Sequence, residues 1–316
     1  MAQSLKPDNI KKTGDPGGRF IYRLQFFALQ LGLVVLKLAP LWFSGWFVER
    51  IADIYFFCSP KRRRIALSNL AIAYADSLPA GKLHAIARKS FQSQALSILE
   101  LFVTEKMRKN AARRFAIVGQ EHFDAAVARG RGVVFVASHL GSWEYIGFPG
   151  YLQHFPHAVI VKKVKNPYIN DAIDALRRVS ESVPIPKEAN ALRHTLVELR
   201  QNHGVAIIID QWAGPDGLWV DFCGRATSTT SLPAKLAQKT GCALVPIFCL
   251  RKTIGSYEVH LLPAVPLATE ADWEARTTQR LNAILESQIR LHPEQWSWSH
   301  RRWRAQPKTP QPQVPA

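Results

Sequence analysis

Acidic side chains are scarce in this 316-residue chain, where 24 Asp and Glu face 41 Lys and Arg, a formal charge of +17. An excess of that size needs an anionic counterpart: nucleic acid, an anionic membrane surface or acidic substrates. Cysteine is sparse too, with four residues (Cys58, Cys223, Cys242, Cys249) and no CxxC pair. That scatter argues against a zinc module or a disulfide framework, fits a reducing compartment, and reads as small buried hydrophobes. Neither a metal nor a cofactor is expected. Zinc-finger spacing, an RNA-recognition signature and a basic helix with a zipper are all missing, so no nucleic-acid partner is expected. There are no internal repeats. No short apolar stretch precedes a small-residue cleavage site, which is not the pattern of a signal peptide.

What is present is ordinary for a folded protein: 47% hydrophobic and 21% charged residues. The length suits one large domain, or a domain with an appended helical region. Tryptophans gather towards the two ends, Trp42 and Trp46 early, Trp296, Trp298 and Trp303 late. Tryptophan beside arginine is the composition of a membrane interface, so an anionic membrane surface is the favoured partner.

Residues 1–18 are polar and read as a mobile terminus. Residues 24–48 are almost continuously apolar, and about 20 apolar residues suffice to cross a bilayer. Three features argue against a simple span: Lys37 near the middle, Pro40, which kinks or ends a helix, and Gly45. Positive charge flanks both sides, with Lys11, Lys12, Arg19 and Arg23 before and Lys61, Arg62, Arg63 and Arg64 after. A segment that dips into the bilayer and returns, or lies in the interface, fits that symmetry.

From Ser59 to Arg114 the pattern is helical, broken at Leu78-Pro79. Leu83, Ile86, Ala87, Phe91, Ala95, Ile98, Leu99 and Phe102 recur at offsets of three and four, the mark of a one-sided helix. Strand–helix alternation follows. Residues 132–137 (GVVFVA), 158–164 and 205–210 read as buried strands, with further strands at 218–222, 242–250 and 257–262. Helices are expected at 166–181, 190–202, 231–240 and 271–291. The reading is therefore α/β, with a largely parallel or mixed central sheet flanked by helices and an N-terminal helical region that associates with the membrane. The expected organisation is a terminus at 1–18, a helical region at 19–114, an α/β domain at 115–305 and a disordered tail at 306–316.

The chemistry concentrates where the strand at 132–137 ends in Ser138-His139-Leu140-Gly141-Ser142-Trp143-Glu144. Reactive groups in α/β sheets collect at the carboxyl ends of strands. Ser142 is a natural N-cap, placing Glu144 in the first turn of the next helix. A regular helix would rotate the chain by about 500° over five residues, so only a turn lets His139 and Glu144 meet. A carboxylate on one ring nitrogen fixes the tautomer and frees the other nitrogen to accept a hydroxyl proton. Spacing alone leaves open a structural histidine with a surface glutamate.

The hexapeptide His139-Leu140-Gly141-Ser142-Trp143-Glu144 resembles the H-x4-D/E motif of glycerolipid acyltransferases, in the form carried by the bacterial lipid A biosynthesis acyltransferase family. Asp210-Gln211, Leu218 to Arg225, Thr229, Leu236-Ala237, Gly241 to Pro246, and His292 to Trp303 resemble later blocks of that family in the same order. Asn69-Leu70 and Glu100 match its N-terminal helices, so the likeness covers about residues 20–305. Two positions depart from it. Lys162-Lys163 stands where members often carry Tyr-Arg, which keeps charge but loses the bidentate fork, and Cys223 interrupts an FFG triplet.

The resemblance implies a glycerolipid-acyltransferase-like fold at the inner membrane with its active site facing the cytoplasm. It implies transfer of a fatty acyl group from acyl carrier protein or acyl-CoA to a hydroxyl of a lipid A precursor or related glycolipid. Under it His139 is the general base and Glu144 orients it. Gly141, Lys163, Arg178, Asp210, Gln211, Gly224 and Arg225 become the substrate-binding candidates, with amides near Gly141, Lys163 or Arg178 as oxyanion or phosphate donors. Ser142 is a weaker nucleophile candidate without a G-x-S-x-G elbow. The same chemistry on a phosphatidylinositol mannoside or an aminolipid is an alternative, and so is a non-catalytic adaptor that binds lipid or acyl carrier protein. An apolar anchor predicts that carbonate or high-salt washing leaves the protein in the membrane pellet; complete release would leave electrostatic attachment alone.

Overall fold

The computed structural model describes residues 16–75, 77–188 and 190–304. The expected tail at 306–316 lies outside these residues, as does the expected mobile terminus except for 16–18. Proline opens the first helix, where its missing N–H costs nothing: α1 runs Pro16–Leu38. Pro40 then stops it, and α2 (Leu41–Cys58) starts anew. The apolar run is thus two helices, not one. Ser44 seals the break by donating to the Leu36 carbonyl at 2.8 Å. Helix α1 is long and apolar enough to cross a membrane, and almost none of its apolar stretch is buried by the rest of the chain. On α2, Trp42, Phe43, Trp46, Phe47, Ile51 and Ile54 are also exposed, although Val48, Ala52 and Phe56 pack inward.

Two long helices follow, α3 (Pro60–Tyr74) and α4 (Ala80–Phe102), then the short α5 (Thr104–Arg108) and α6 (Ala111–Arg114). Polar contacts bind this region to what comes later. Arg88 of α4 grips Asp53 of α2 with two bonds of 2.7 Å, and Asn69 of α3 donates to the Trp298 and His300 carbonyls. Thereafter come β1 (Phe115–Val118), α7 (Gln120–Ala128), β2 (Val133–Ala137), α8 (Phe148–Leu152), β3 (His157–Val161), α9 (Pro167–Arg177) and β4 (Ser182–Pro186). The chain continues as α10 (Ala191–Arg200), β5 (Gly204–Ile208), β6 (Leu218–Phe222), β7 (Arg225–Thr229), α11 (Leu232–Thr240), β8 (Ala243–Thr253), β9 (Ser256–Leu261) and α12 (Trp273–Leu291).

Seven strands form one sheet in the order β1-β9-β8-β2-β5-β3-β4. Strands β8, β2, β5, β3 and β4 are mutually parallel, whereas β9 turns back antiparallel on β8 and pairs in parallel with β1. The sheet is mixed and mostly parallel, as expected. All five residues of β2 are buried, because helices cover both faces. The strand expected at 218–222 lies outside this sheet: β6 pairs with β7 in a separate antiparallel hairpin. Apolar clusters fill both sides, one gathering Leu70, Phe91, Val134, Leu236 and Leu285, the other Leu99, Phe115, Phe135, Phe148 and Val259.

A buried ion pair joins the helical region to the sheet. Arg251 of β8 donates to Glu100 of α4 and to Ser93 and Ser97. Desolvating two charges makes such a pair a weak net stabiliser, but removing one partner strands the other. Glu100→Leu alone is expected to cost about 3–5 kcal/mol, seen as a large fall in Tm in detergent. The double replacement Glu100→Leu/Arg251→Met should recover much of that loss; equal losses in both proteins would contradict the pairing.

Candidate active site

Strands β2 and β5 are parallel neighbours with Ala137 opposite Ile208. The Ile209 N–H bonds the Ala137 carbonyl at 3.1 Å, carrying the ladder one step past the strand ends. Two residues beyond each strand, the same register sets His139 beside Asp210. The Asp210 carboxylate accepts the His139 backbone N–H at 2.7 Å through Oδ2 and contacts Nδ1 of the ring at 2.8 Å through Oδ1. Asp210 is almost sealed, 2% exposed, whereas the His139 side chain keeps 22% exposure.

The expected hydrogen bond between Glu144 and His139 is not made. Residues 143–145 form a single 3-10 turn, not the start of a long helix, and the Ser142 side chain makes no capping bond. Arg177, at the end of α9, takes both Glu144 oxygens at 2.9 Å and also reaches Asp174 at 3.3 Å. That fork–fork geometry commits both carboxylate oxygens to the guanidinium. Glu144 therefore acts on His139 only through its charge, and Asp210 is the group that fixes the imidazole.

Burial works against charge on the His139 ring. The Asp210 charge and hydrogen bond, helped by Glu144, outweigh it and hold the ring above the ordinary histidine range. For Asp210 burial pushes the carboxyl up, but His139 and then Trp296 outweigh that and keep it below its usual range. The pair is a fixed anion holding a basic imidazole with Nδ1 committed, leaving Nε2 for chemistry.

Both residues of the sequence motif, His139 and Glu144, open on a cavity of about 560 Å³. Its lining includes Val159, Val161, Ala206 and Ile208 of the sheet, together with Gly147, Gly150, His157 and Ser182. His157 bonds Ser182 at 2.7 Å, and burial keeps its ring below the usual histidine range. Arg177, Lys162, Lys187 and Gln211 stand around the His139 end. The cavity thus combines apolar sheet residues with an imidazole and several cations, a lining that suits a ligand with an apolar chain and a polar head.

Several expected binding residues sit elsewhere. Gly141 is a conformational requirement: its φ is +63°, and a Cβ would fall 2.2 Å from the Cys249 carbonyl oxygen. The Gly141 and Ser142 amides are already bonded to the Gln295 and Cys249 carbonyls, so neither is free to hold an oxyanion. Ser142 is buried and does not line the cavity. Lys163 pairs with Glu188 on the surface, and its neighbour Lys162 lines the cavity in its place. Arg178 is exposed in the 3-10 turn after α9, one residue beyond the arginine that reaches the site. Gly224 and Arg225 occupy the exposed tip of the β6–β7 hairpin. Gln211 does reach the ring, its Nε2 lying 3.4 Å from both imidazole nitrogens. Sequence reasoning missed Arg177, Lys162 and Trp296; the last was read as a membrane-interface tryptophan, but it and Trp298 are buried in the protein interior.

Over residues 18–305 the chain matches the model of the bacterial lipid A biosynthesis acyltransferase family. It belongs to that family. Among its curated relatives, the phosphatidylinositol mannoside acyltransferase of Mycobacterium tuberculosis is 30% identical over 192 residues, 60% of each chain. The lipid A biosynthesis lauroyltransferase of Escherichia coli is 25% identical over 253 residues, covering 78% of this chain and 81% of the relative. The lipid A biosynthesis acyltransferase of Haemophilus influenzae is 23% identical over 195 residues, 61% of this chain and 60% of the relative. The matched stretch thus spans about three fifths of the mycobacterial relative.

The two carboxylates beside His139, Asp210 and Glu144, are expected to separate kinetically. Asp210→Asn should cut kcat by about 10²–10⁴-fold, the range of a disabled general base. Glu144→Gln releases one arm of Arg177 and should act more on KM. Identical effects on both parameters would contradict separate roles.

Proposed function

We propose that the protein transfers a fatty acyl group from an acyl thioester, carried by acyl carrier protein or coenzyme A, to a hydroxyl of a lipid A precursor or related anionic glycolipid. The observation that carries this reading is an imidazole fixed through Nδ1 by a buried carboxylate at the mouth of an apolar cavity. His139 Nε2 takes the proton of the acceptor hydroxyl as its oxygen attacks the thioester carbonyl. The tetrahedral intermediate collapses, the C–S bond breaks and the imidazolium returns the proton to the leaving thiolate. Ester and free thiol result, with atoms and charge balanced.

The donor chain lies in the cavity, along the sheet residues that line it beside His139. Lys162, Lys187 and Arg177, itself steadied by Glu144, receive the phosphate or developing oxyanion. Membrane seating follows from the helices: α1 crosses or enters the bilayer, and the exposed aromatic face of α2 lies at headgroup depth with the basic run Lys61, Arg62, Arg63, Arg64 beside it. In this reading the reaction takes place at the inner membrane with the cleft on its cytoplasmic side, a choice supported by the preference of positive flanks for that side. Relatives named for lipid A and for phosphatidylinositol mannoside support an acceptor that is a phosphorylated, sugar-bearing lipid.

Detergent-solubilised protein is expected to move radiolabelled acyl chains from acyl carrier protein or coenzyme A onto such an acceptor, and His139→Ala to abolish transfer. The rate should climb with pH through a midpoint above that of a free imidazole, about 6.5, because the base works only when neutral and Asp210 raises its affinity for the proton. Lipid binding without turnover at any pH would favour the adaptor reading instead.

A further inference from the structure

Behind the His139–Asp210 pair runs the segment that follows α12. Its backbone pairs with the catalytic turn: the Ser297 N–H bonds the His139 carbonyl at 3.1 Å, and the Gly141 N–H bonds the Gln295 carbonyl at 3.0 Å. Trp296 sits between those two bonds, 2% exposed, and its indole N–H donates to Asp210 Oδ2 at 2.7 Å. Ser90 of α4 holds the Trp296 carbonyl at 2.6 Å. Further on, Arg302 is fully buried and donates to the Gln211 and Ser228 carbonyls at 2.8 and 2.9 Å. The same segment thus touches both halves of the dyad, the backbone of His139 and the side chain of Asp210.

We propose that Trp296 is a positioning residue for catalysis: its indole N–H fixes the orientation of the Asp210 carboxylate, and through it the imidazole. The inference rests on the general-base reading of His139. A carboxylate can rotate about its Cβ–Cγ bond, and the imidazole contact uses Oδ1 alone. The second oxygen has the His139 backbone N–H and the indole as donors. With both in place the plane of the carboxylate is set, so Oδ1 faces Nδ1. Without the indole only the backbone donor remains on Oδ2. The carboxylate then bears a less dispersed charge and draws more strongly on the Nδ1 proton, which stabilises the imidazolium.

A neighbouring tryptophan supplies the control. Trp298 is equally buried and packs edge-on against Trp296 with ring centroids 4.6 Å apart, but its indole donates to the Pro293 carbonyl. The other charged or titratable groups acting on His139 are Glu144, paired with Arg177, and His300; Arg302 acts on Asp210. None is altered by a tryptophan-to-phenylalanine change.

The test uses the full chain in detergent, with acyl transfer and the His139 titration read in parallel, the latter by NMR of ¹⁵N-histidine protein assigned with H139Q. In Trp296→Phe we expect kcat to fall about tenfold at unchanged KM, the value of one lost charge-assisted bond. The His139 titration and the acid limb of the rate profile should both move to higher pH. Trp298→Phe should lower Tm without moving either. If Trp296→Phe folds poorly, replacement of tryptophan by 4-fluorotryptophan keeps the rings and makes the N–H more acidic, and the titration should move the opposite way. An unmoved titration in the phenylalanine variant, or in the fluorinated protein when that variant does not fold, overturns the proposal and leaves Trp296 as packing. A moved titration in a protein that transfers no acyl group supports the positioning role and overturns the functional reading separately.

Discussion

The short bond between His139 and Asp210 is the constraint on which the site depends. Neither residue owes its place to local sequence. Each lies two positions past the end of a parallel strand, and the register of those strands sets the pair together. An ion buried as deeply as Asp210 would be costly without partners, and it has three donors: the His139 ring, the His139 amide and the Trp296 indole. Geometry and charge therefore support each other. The imidazole makes the carboxylate tolerable, and the carboxylate makes the imidazole a better base.

Around this pair the rest of the molecule acts as a frame. The Gly141 turn reaches β8 through the Cys249 carbonyl and the post-α12 segment through the Gln295 carbonyl, and Ser97 of α4 donates to the Gly141 carbonyl at 2.7 Å. Arg251 bonds Ser97 from the opposite side and carries the Glu100 ion pair. The turn at 139–142 is thereby held by the sheet, by α4 and by the post-α12 segment at once. Such support from outside the reacting groups is what keeps a site within the small tolerances that proton transfer requires.

Glu144 has a different part in this arrangement. It belongs to the same motif as His139 and opens on the same cavity, but its oxygens are spent on Arg177. The proposed division of labour follows: Asp210 tunes the base, while Glu144 holds a guanidinium at the substrate end of the cleft. A guanidinium so held presents its remaining donors in a fixed plane, the geometry suited to phosphate or an oxyanion. The two carboxylates do separate work because one faces a ring nitrogen and the other faces a fork of N–H groups.

The sequence by itself determined much of the architecture. Short apolar runs such as 132–137 and 205–210 read as strands covered on both faces, and the offsets within 83–102 as a one-sided helix, and the structure has a strand or helix at each. The sequence also singled out His139, since a strand end followed by a glycine-bearing turn is where such sheets expose reactive groups. What it could not supply was the neighbour. His139 and Asp210 are 71 positions apart, and which strand lies beside β2 is fixed by sheet order, which no local pattern encodes. The motif partner Glu144 was close in sequence, but a 3-10 turn and the pull of Arg177 turned it away. Trp296 read from sequence as an interface tryptophan in a family-like terminal block, whereas the fold buries it. Tertiary packing alone decided that its N–H would meet a buried carboxylate, because hydrogen-bond partners are assigned by what the fold brings within three ångströms and not by composition.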